Sequence, residues 1–161
     1  MWALDAAEAM VAETRARLTR LLGEGEALRR VVLGEMRDLS RYPDETFDLV
    51  VALGVLHQAR DEAEWYASLT EVVRVLAPGG RILVSNFAPG TGPIDAPLAP
   101  VPGTSFVHEG FRDDRLCLRV AEDLDADFLA LGLEPALPTE VVEREAEGRR
   151  RVTVNALYRR T

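Results

Sequence analysis

Apolar and polar positions alternate along the chain in blocks, and each block has a recognisable period. Trp2-Ala3-Leu4 is a short apolar start ended by Asp5. Met10, Val11, Thr14, Leu18, Leu21 and Leu22 then recur at helical spacing with Glu13, Arg17 and Arg20 between them, and Gly23 is a natural stop. Arg29-Arg30-Val31-Val32-Leu33 reads as a strand closed by Gly34-Glu35, and Pro43-Asp44-Glu45 marks a turn. The run from Phe47 is a buried strand. From Asp61 to Leu76 the residues Trp65, Leu69, Val72, Val73 and Leu76 keep one apolar stripe, which predicts a helix. Pro78 cannot continue it, and Gly79-Gly80 permits a sharp reversal into the strand Arg81-Ile82-Leu83-Val84-Ser85. Both strands are continuous apolar runs, as expected where helices cover both faces of a parallel sheet.

The second half is patterned differently. From Ala88 to Gly103 the chain is rich in Pro and Gly without periodicity, so residues 88–112 are expected to form a loop or lid. Ala121 to Leu131 reads as a helix capped by Gly132. Val141 to Arg144, a turn at Glu147-Gly148 and the alternation Val152, Val154, Ala156, Tyr158 predict an antiparallel hairpin. Strand and helix alternate without internal repeat, which gives an α/β fold in a single domain over residues 1–161.

Composition removes several functions. All 19 basic residues are arginine, so a P-loop lysine, a Schiff-base lysine and a pyridoxal-phosphate anchor are impossible. The formal charge of −8 argues against a nucleic-acid partner, because counterion release needs a cationic face. Arg149 to Arg151 is the one basic cluster and reads as a solvated strand edge. The single Cys117 rules out an internal disulfide or a Cys-x-x-Cys site, and neither it nor His108 has a partner at metal-ligand spacing, so no metal is expected. No apolar run spans a bilayer and no signal-peptide pattern opens the chain, which suggests no membrane partner and a cytoplasmic location.

Three phrases carry a family resemblance: Phe47-Asp48-Leu49-Val50-Val51, Val55-Leu56-His57 and Arg74-Val75-Leu76-Ala77-Pro78-Gly79-Gly80. They resemble the middle of class I S-adenosylmethionine-dependent methyltransferases, of the type 11 kind. That family has a seven-stranded Rossmann-like sheet whose last strand is antiparallel, and this chain is similar to it from the family's second strand onward. The Gly-x-Gly-x-Gly loop that follows the family's first strand is not among these residues. The resemblance therefore implies an incomplete, truncated version of the fold, with unpaired strand edges that a second copy or a partner chain supplying the missing strand would cover.

By this resemblance the cofactor is S-adenosyl-L-methionine. Asp5, in Leu4-Asp5-Ala6, is implied as acceptor for the ribose hydroxyls with Ala6 beside it, although Asp before a helix is also an ordinary N-cap. Glu35 and Met36 are implied as the adenine contacts, and Leu53 and Gly54 as the positions under the methionine moiety. His57 is the candidate catalytic residue, able to move a proton to or from the substrate, or else only part of the motif. The acceptor is expected to be a small molecule. The alternative is a non-catalytic methyltransferase-like subunit with an assembly or regulatory role.

Overall fold

The computed structural model describes residues 1–111 and 114–161, with the Phe111 side chain left aside. Its first layer is small. Strand β1 (Ala3–Asp5) leads to helix α1 (Glu8–Leu22), helix α2 (Glu24–Arg30) and strand β2 (Val31–Leu33), and β1 and β2 pair in parallel with Leu4 opposite Val32. Gly23, at φ 83°, ends one helix and opens the next. Arg29 and Arg30, expected in a strand, belong to α2 instead. Glu26 one turn earlier pairs with both, at 2.9 and 2.6 Å, and these hydrogen bonds pull its carboxyl down to about 2. The apolar stripe of α1 is also narrower than its spacing suggests: Val11 and Leu18 are buried, whereas Met10, Leu21 and Leu22 are exposed.

The second layer is the larger sheet. Strand β3 (Phe47–Leu53) is followed by a single turn of 3-10 helix (Leu56–Gln58) and by helix α3 (Glu62–Val75), whose first turn is capped by Asp61 accepting the Glu64 N–H at 2.8 Å. Helix passes directly into strand β4 (Leu76–Phe87). Phe47 pairs with Leu76 and Leu49 with Arg81, so Ala77–Gly80 form a wide bulge rather than a separate turn. Glycine is needed there, because a Cβ on Gly80 would lie 2.7 Å from the Ala77 carbonyl.

After β4 come β5 (Gly92–Pro93), β6 (Ala99–Pro100), β7 (Val107–Phe111) and β8 (Asp114–Cys117), then α4 (Ala121–Leu129), β9 (Leu133–Pro135), β10 (Glu140–Ala146) and β11 (Arg149–Arg160). Strands β6, β7 and β8 form a small antiparallel sheet of their own, so the proline-rich segment 88–112 holds regular pairing that its sequence does not advertise. Its last residue, Arg112, lies outside the described residues. The expected hairpin is β10–β11, turned by Glu147 and Gly148 at φ 51° and 71°. The main sheet runs β10-β11-β4-β3, with β4 parallel to β3 and antiparallel to β11.

Alternation along these strands sends Ala52, Ile82, Val84, Val154 and Tyr158 into a core shared with Trp65 and Leu69 of α3 and Leu124 and Phe128 of α4. The opposite face departs from expectation. Leu49, Val51 and Leu53 are 56%, 54% and 52% exposed, because no described residue packs over them. One face of the sheet is covered, not two.

The two layers meet through residues 34–46. Arg74 of α3 donates to the carbonyls of Leu39 and Tyr42, both at 2.9 Å, and to Asp44 at 2.7 Å. Glu71 accepts from Arg74 and, at 2.7 Å, from the Leu39 N–H. Hydrogen bonding to Arg74 holds the Glu71 carboxyl below its usual range. Trp2, Tyr42 and Phe47 add an edge-to-face aromatic ladder, with centroids 6.0 and 5.2 Å apart. No ladder hydrogen bond joins the two sheets, and among the described residues β1 and β3 each have one unpaired edge. Among the described residues no helix is long and apolar enough to cross a membrane.

Candidate functional site

Open parallel sheets bind ligands outside the carboxyl ends of their strands. In the first layer that edge carries an open cleft of about 550 Å³, lined by Leu4, Leu33, Gly34, Glu35, Arg37 and Asp38 among others. Leu4 and Leu33 give it an apolar floor and Glu35 an acceptor. Gly34 donates its N–H to the Asp5 carbonyl at 3.0 Å, and a Cβ on it would sit 2.7 Å from Leu4 Cδ1, so any larger residue would have to displace the Leu4 side chain. Asp5 is exposed at the end of β1. Its Oδ1 accepts the Ala7 N–H at 2.8 Å, which leaves the other carboxylate oxygen for a ligand. Ala6 is exposed beside it, and Met36 is half-buried with its side chain against the main core.

Glu35 is half-exposed and pairs with Arg37, which also lies 3.6 Å from Glu64 on α3. This chain of charges ties the cleft to the second layer. At the end of β3, Leu53 is exposed and Gly54 takes φ 73° while donating to the Ser85 carbonyl at 2.9 Å. β1 and β2 thus bring together Asp5, Ala6, Glu35 and Met36. Leu53, Gly54 and His57 are gathered by β3 and the turn after it, in the other sheet.

His57 is 2% exposed. Its ring stacks on Phe87 at 4.0 Å and 13°, and its Nδ1 accepts the Phe87 N–H at 3.2 Å. Burial, with a smaller contribution from the positive charge of Arg151, pushes its pKa down to about 4. The imidazole is therefore neutral near pH 7, with its proton on Nε2. An unfolded histidine titrates near 6.5, so between pH 6.5 and about 4 the unfolded chain binds the proton that the folded chain refuses. This stabilisation is complete above pH 6.5 and is lost as pH falls, on the order of 3 kcal/mol in total. Urea unfolding between pH 7 and 5 should show the decline, above the range where Glu71 and the other lowered carboxylates contribute. His57→Asn keeps an acceptor for the Phe87 N–H and should flatten it; an unchanged slope would show that His57 does not titrate this way.

Three groups near this edge escape a reading of periodicity. Asn86, at the end of β4, is fully buried, and its Nδ2 donates to the carbonyls of Phe87 at 3.0 Å and Cys117 at 3.4 Å. Phe87 receives His57, and Arg151 of β11 lies over the same ring. The strand pattern ends visibly at Ser85, two residues short, although the binding-edge rule points to the strand's last residues. Cys117 is buried, donates to the Asp61 carbonyl at 3.4 Å, and has its thiol pKa pushed up to about 12 by burial, so it is inert. Among the described residues no cluster of His, Cys, Asp or Glu could hold a metal ion.

The family model for the methyltransferase domain matches residues 1–84 of the 161. The chain belongs to that family, the class I methyltransferases that use S-adenosyl-L-methionine as methyl donor. Solved structures agree on the fold. A SAM-dependent methyltransferase from Methanosarcina mazei superposes with TM-score 0.66 at 17% identity, over 98% of this chain and 80% of that one. The 1,6-didemethyltoxoflavin-N1-methyltransferase of Burkholderia thailandensis, solved with 1,6-didemethyltoxoflavin and S-adenosylhomocysteine, gives 0.63 at 20% identity over 91% and 56%. The cyclase SpnF gives 0.64 at 20% identity over 98% and 65%, so the fold alone does not fix the reaction. None of the curated proteins matches the sequence.

Proposed function

We propose that this chain carries the cofactor-holding edge of a methyltransferase acting on a small-molecule acceptor. The observation that carries this reading is the cleft at the ends of β1 and β2, with Glu35 in its wall, Asp5 next to its Leu4 floor and Gly34 against the Leu4 side chain. The residues suit adenosine: Leu4 and Leu33 offer apolar surface to a ring, with Met36 assigned beside them although its side chain packs on the core, and Asp5 and Glu35 offer acceptors to hydroxyl and amino groups. Leu53 and Gly54 are assigned to the methionine end. When bound, S-adenosylmethionine supplies an electrophilic methyl group on a good leaving group, so the protein need only position the acceptor and exclude water.

His57 is not the proton acceptor in this reading. Its Nδ1 is already occupied and burial disfavours its cationic form, so it positions the end of β4 instead. A small acceptor is supported by the B. thailandensis neighbour, which was solved with a compact heterocycle. The test is calorimetry with S-adenosylhomocysteine. Asp5→Ala should weaken binding by about 1–3 kcal/mol, by leaving ribose hydroxyls unpaired, and Glu35→Ala by less, since adenine also contacts apolar surface. Unchanged affinity in both variants sinks the assignment.

A second reading rests on the unpaired edges of β1 and β3. In it the chain is a non-catalytic subunit completed by another polypeptide, and it would show no affinity for S-adenosylhomocysteine by itself or in that complex.

A further inference from the structure

Beside the proposed cofactor edge, one surface carries chemistry that the cofactor does not use. Thr153 pairs with Phe87, and the pleat places Arg151, two residues earlier, on the same face of the sheet as Phe87, Ser85 and Leu53. The Arg151 guanidinium lies 5.6 Å from the centre of the Phe87 ring, which also carries the His57 imidazole. Arg151 is exposed and has no carboxylate within ion-pair distance among the described residues. Its neighbour Arg150 is paired with Glu145 at 2.9 Å. In a chain with 27 acidic residues against 19 arginines, a cation held on an aromatic ring and left without an acid at a strand-end edge is available to a ligand.

His57 strengthens the point. Because Nδ1 accepts the Phe87 N–H, the proton sits on Nε2, a donor with no acceptor among the described residues. The neutral ring adds no charge, so Arg151, with Arg144 in register beside it on β10, sets the polarity of this corner. Leu53 beside it, exposed on the same face, offers apolar surface to a flat molecule.

We infer that the methyl acceptor is a planar, apolar molecule bearing a carboxylate, and that Arg151 is a specificity-determining residue that pairs with it across the edge of Phe87. A guanidinium presents two parallel N–H groups to a carboxylate, and an aromatic ring underneath fixes its plane. This rests on the methyltransferase reading for the acceptor's role, and the binding itself does not.

The test uses the full chain without cofactor and benzoate as probe, with benzamide as its neutral isostere, followed by the Nε–H signals of 15N-labelled arginine. Benzoate should shift the Arg151 signal saturably and benzamide should not. Arg151→Gln should weaken benzoate binding by about tenfold or more, while Arg149→Gln leaves it unchanged. Equal responses to benzoate and benzamide, equal effects of the two substitutions, or an inorganic phosphate response as strong as that to benzoate would each overturn the proposal. If benzoate binds through Arg151 but S-adenosylhomocysteine does not bind, the methyltransferase reading fails and the carboxylate site stands.

Discussion

Replacing Asp127 with alanine is expected to lower the unfolding free energy by about 3–5 kcal/mol, measured as a drop in the urea midpoint at unchanged slope. Asp127 of α4 accepts the indole N–H of Trp65 at 3.0 Å through one oxygen and Arg119 at 2.8 Å through the other. The ion pair is nearly dry, with side chains 10% and 8% exposed, and Trp65 is fully buried at the centre of the core. Removing the carboxylate takes the close partner from a buried guanidinium whose Nε already lacks one, leaving it the Asp123 carbonyl at 3.3 Å, the exposed Asp123 carboxylate at 3.7 Å and the Phe106 ring, 4.2 Å away. It also leaves the indole N–H unpaired. The cost comes from the orphaned charge, so Arg119→Met combined with Asp127→Leu should recover most of it. A double variant no more stable than Asp127→Ala would show that packing, not charge, sets the effect. Trp65, Phe106, Arg119 and Asp127 come from α3, the segment before β7, the segment after β8 and α4, so this network fastens the small sheet onto the main core.

The second large effect concerns association. Leu49, Val51 and Leu53 lie open on one face of β3, and the strand's outer edge presents unpaired backbone groups. Edges of this kind capture strands. A second copy can meet β3 antiparallel about a two-fold axis at Val50, setting Leu49 against Val51 and continuing both sheets. Light scattering should therefore give a mass above the monomer that rises with concentration. Val51→Lys, at a position already half exposed, should return the chain to a monomer without loss of helix or strand signal. A concentration-independent monomer for the unsubstituted chain is the result that would end this argument.

Local chemistry explains which features were legible in the sequence. Asp61 three residues before Glu64 signals a helix start, Glu147-Gly148 signals a hairpin, and the apolar runs of β3 and β4 need no partner to be recognised. Arg29 and Arg30 misled because arginine suits helix and strand alike, and what decides is Glu26 one turn away. Strands β5 and β6 are two residues long and proline-bearing; β5 exists only through β11, far along the chain, and β6 only through its pairing with β7. Asp5, Glu35 and Gly54, assigned through the family resemblance, each sit at or just past the end of a strand. Arg151 and Asp127 were not legible, since Arg151 lies over Phe87 and Asp127 binds Trp65, each more than 60 residues away.

The seam between the two sheets has a further consequence, for the way occupancy and folding are linked. Apart from the backbone running through residues 34–46, side chains alone hold β1 and β2 to β3: the Arg74 cluster, the Arg37–Glu64 contact, the Trp2–Tyr42–Phe47 ladder and the packing of Leu4 and Met36 on the main core. A ligand gripped at once by Glu35 on one side and Gly54 on the other would act as a strut across that seam. At a hundred times its dissociation constant such a ligand adds about 2.7 kcal/mol to the folded state. Much of that gain would fall on the layer the seam leaves least secured, so α1 and α2, which line no part of the cleft, would register whether it is filled.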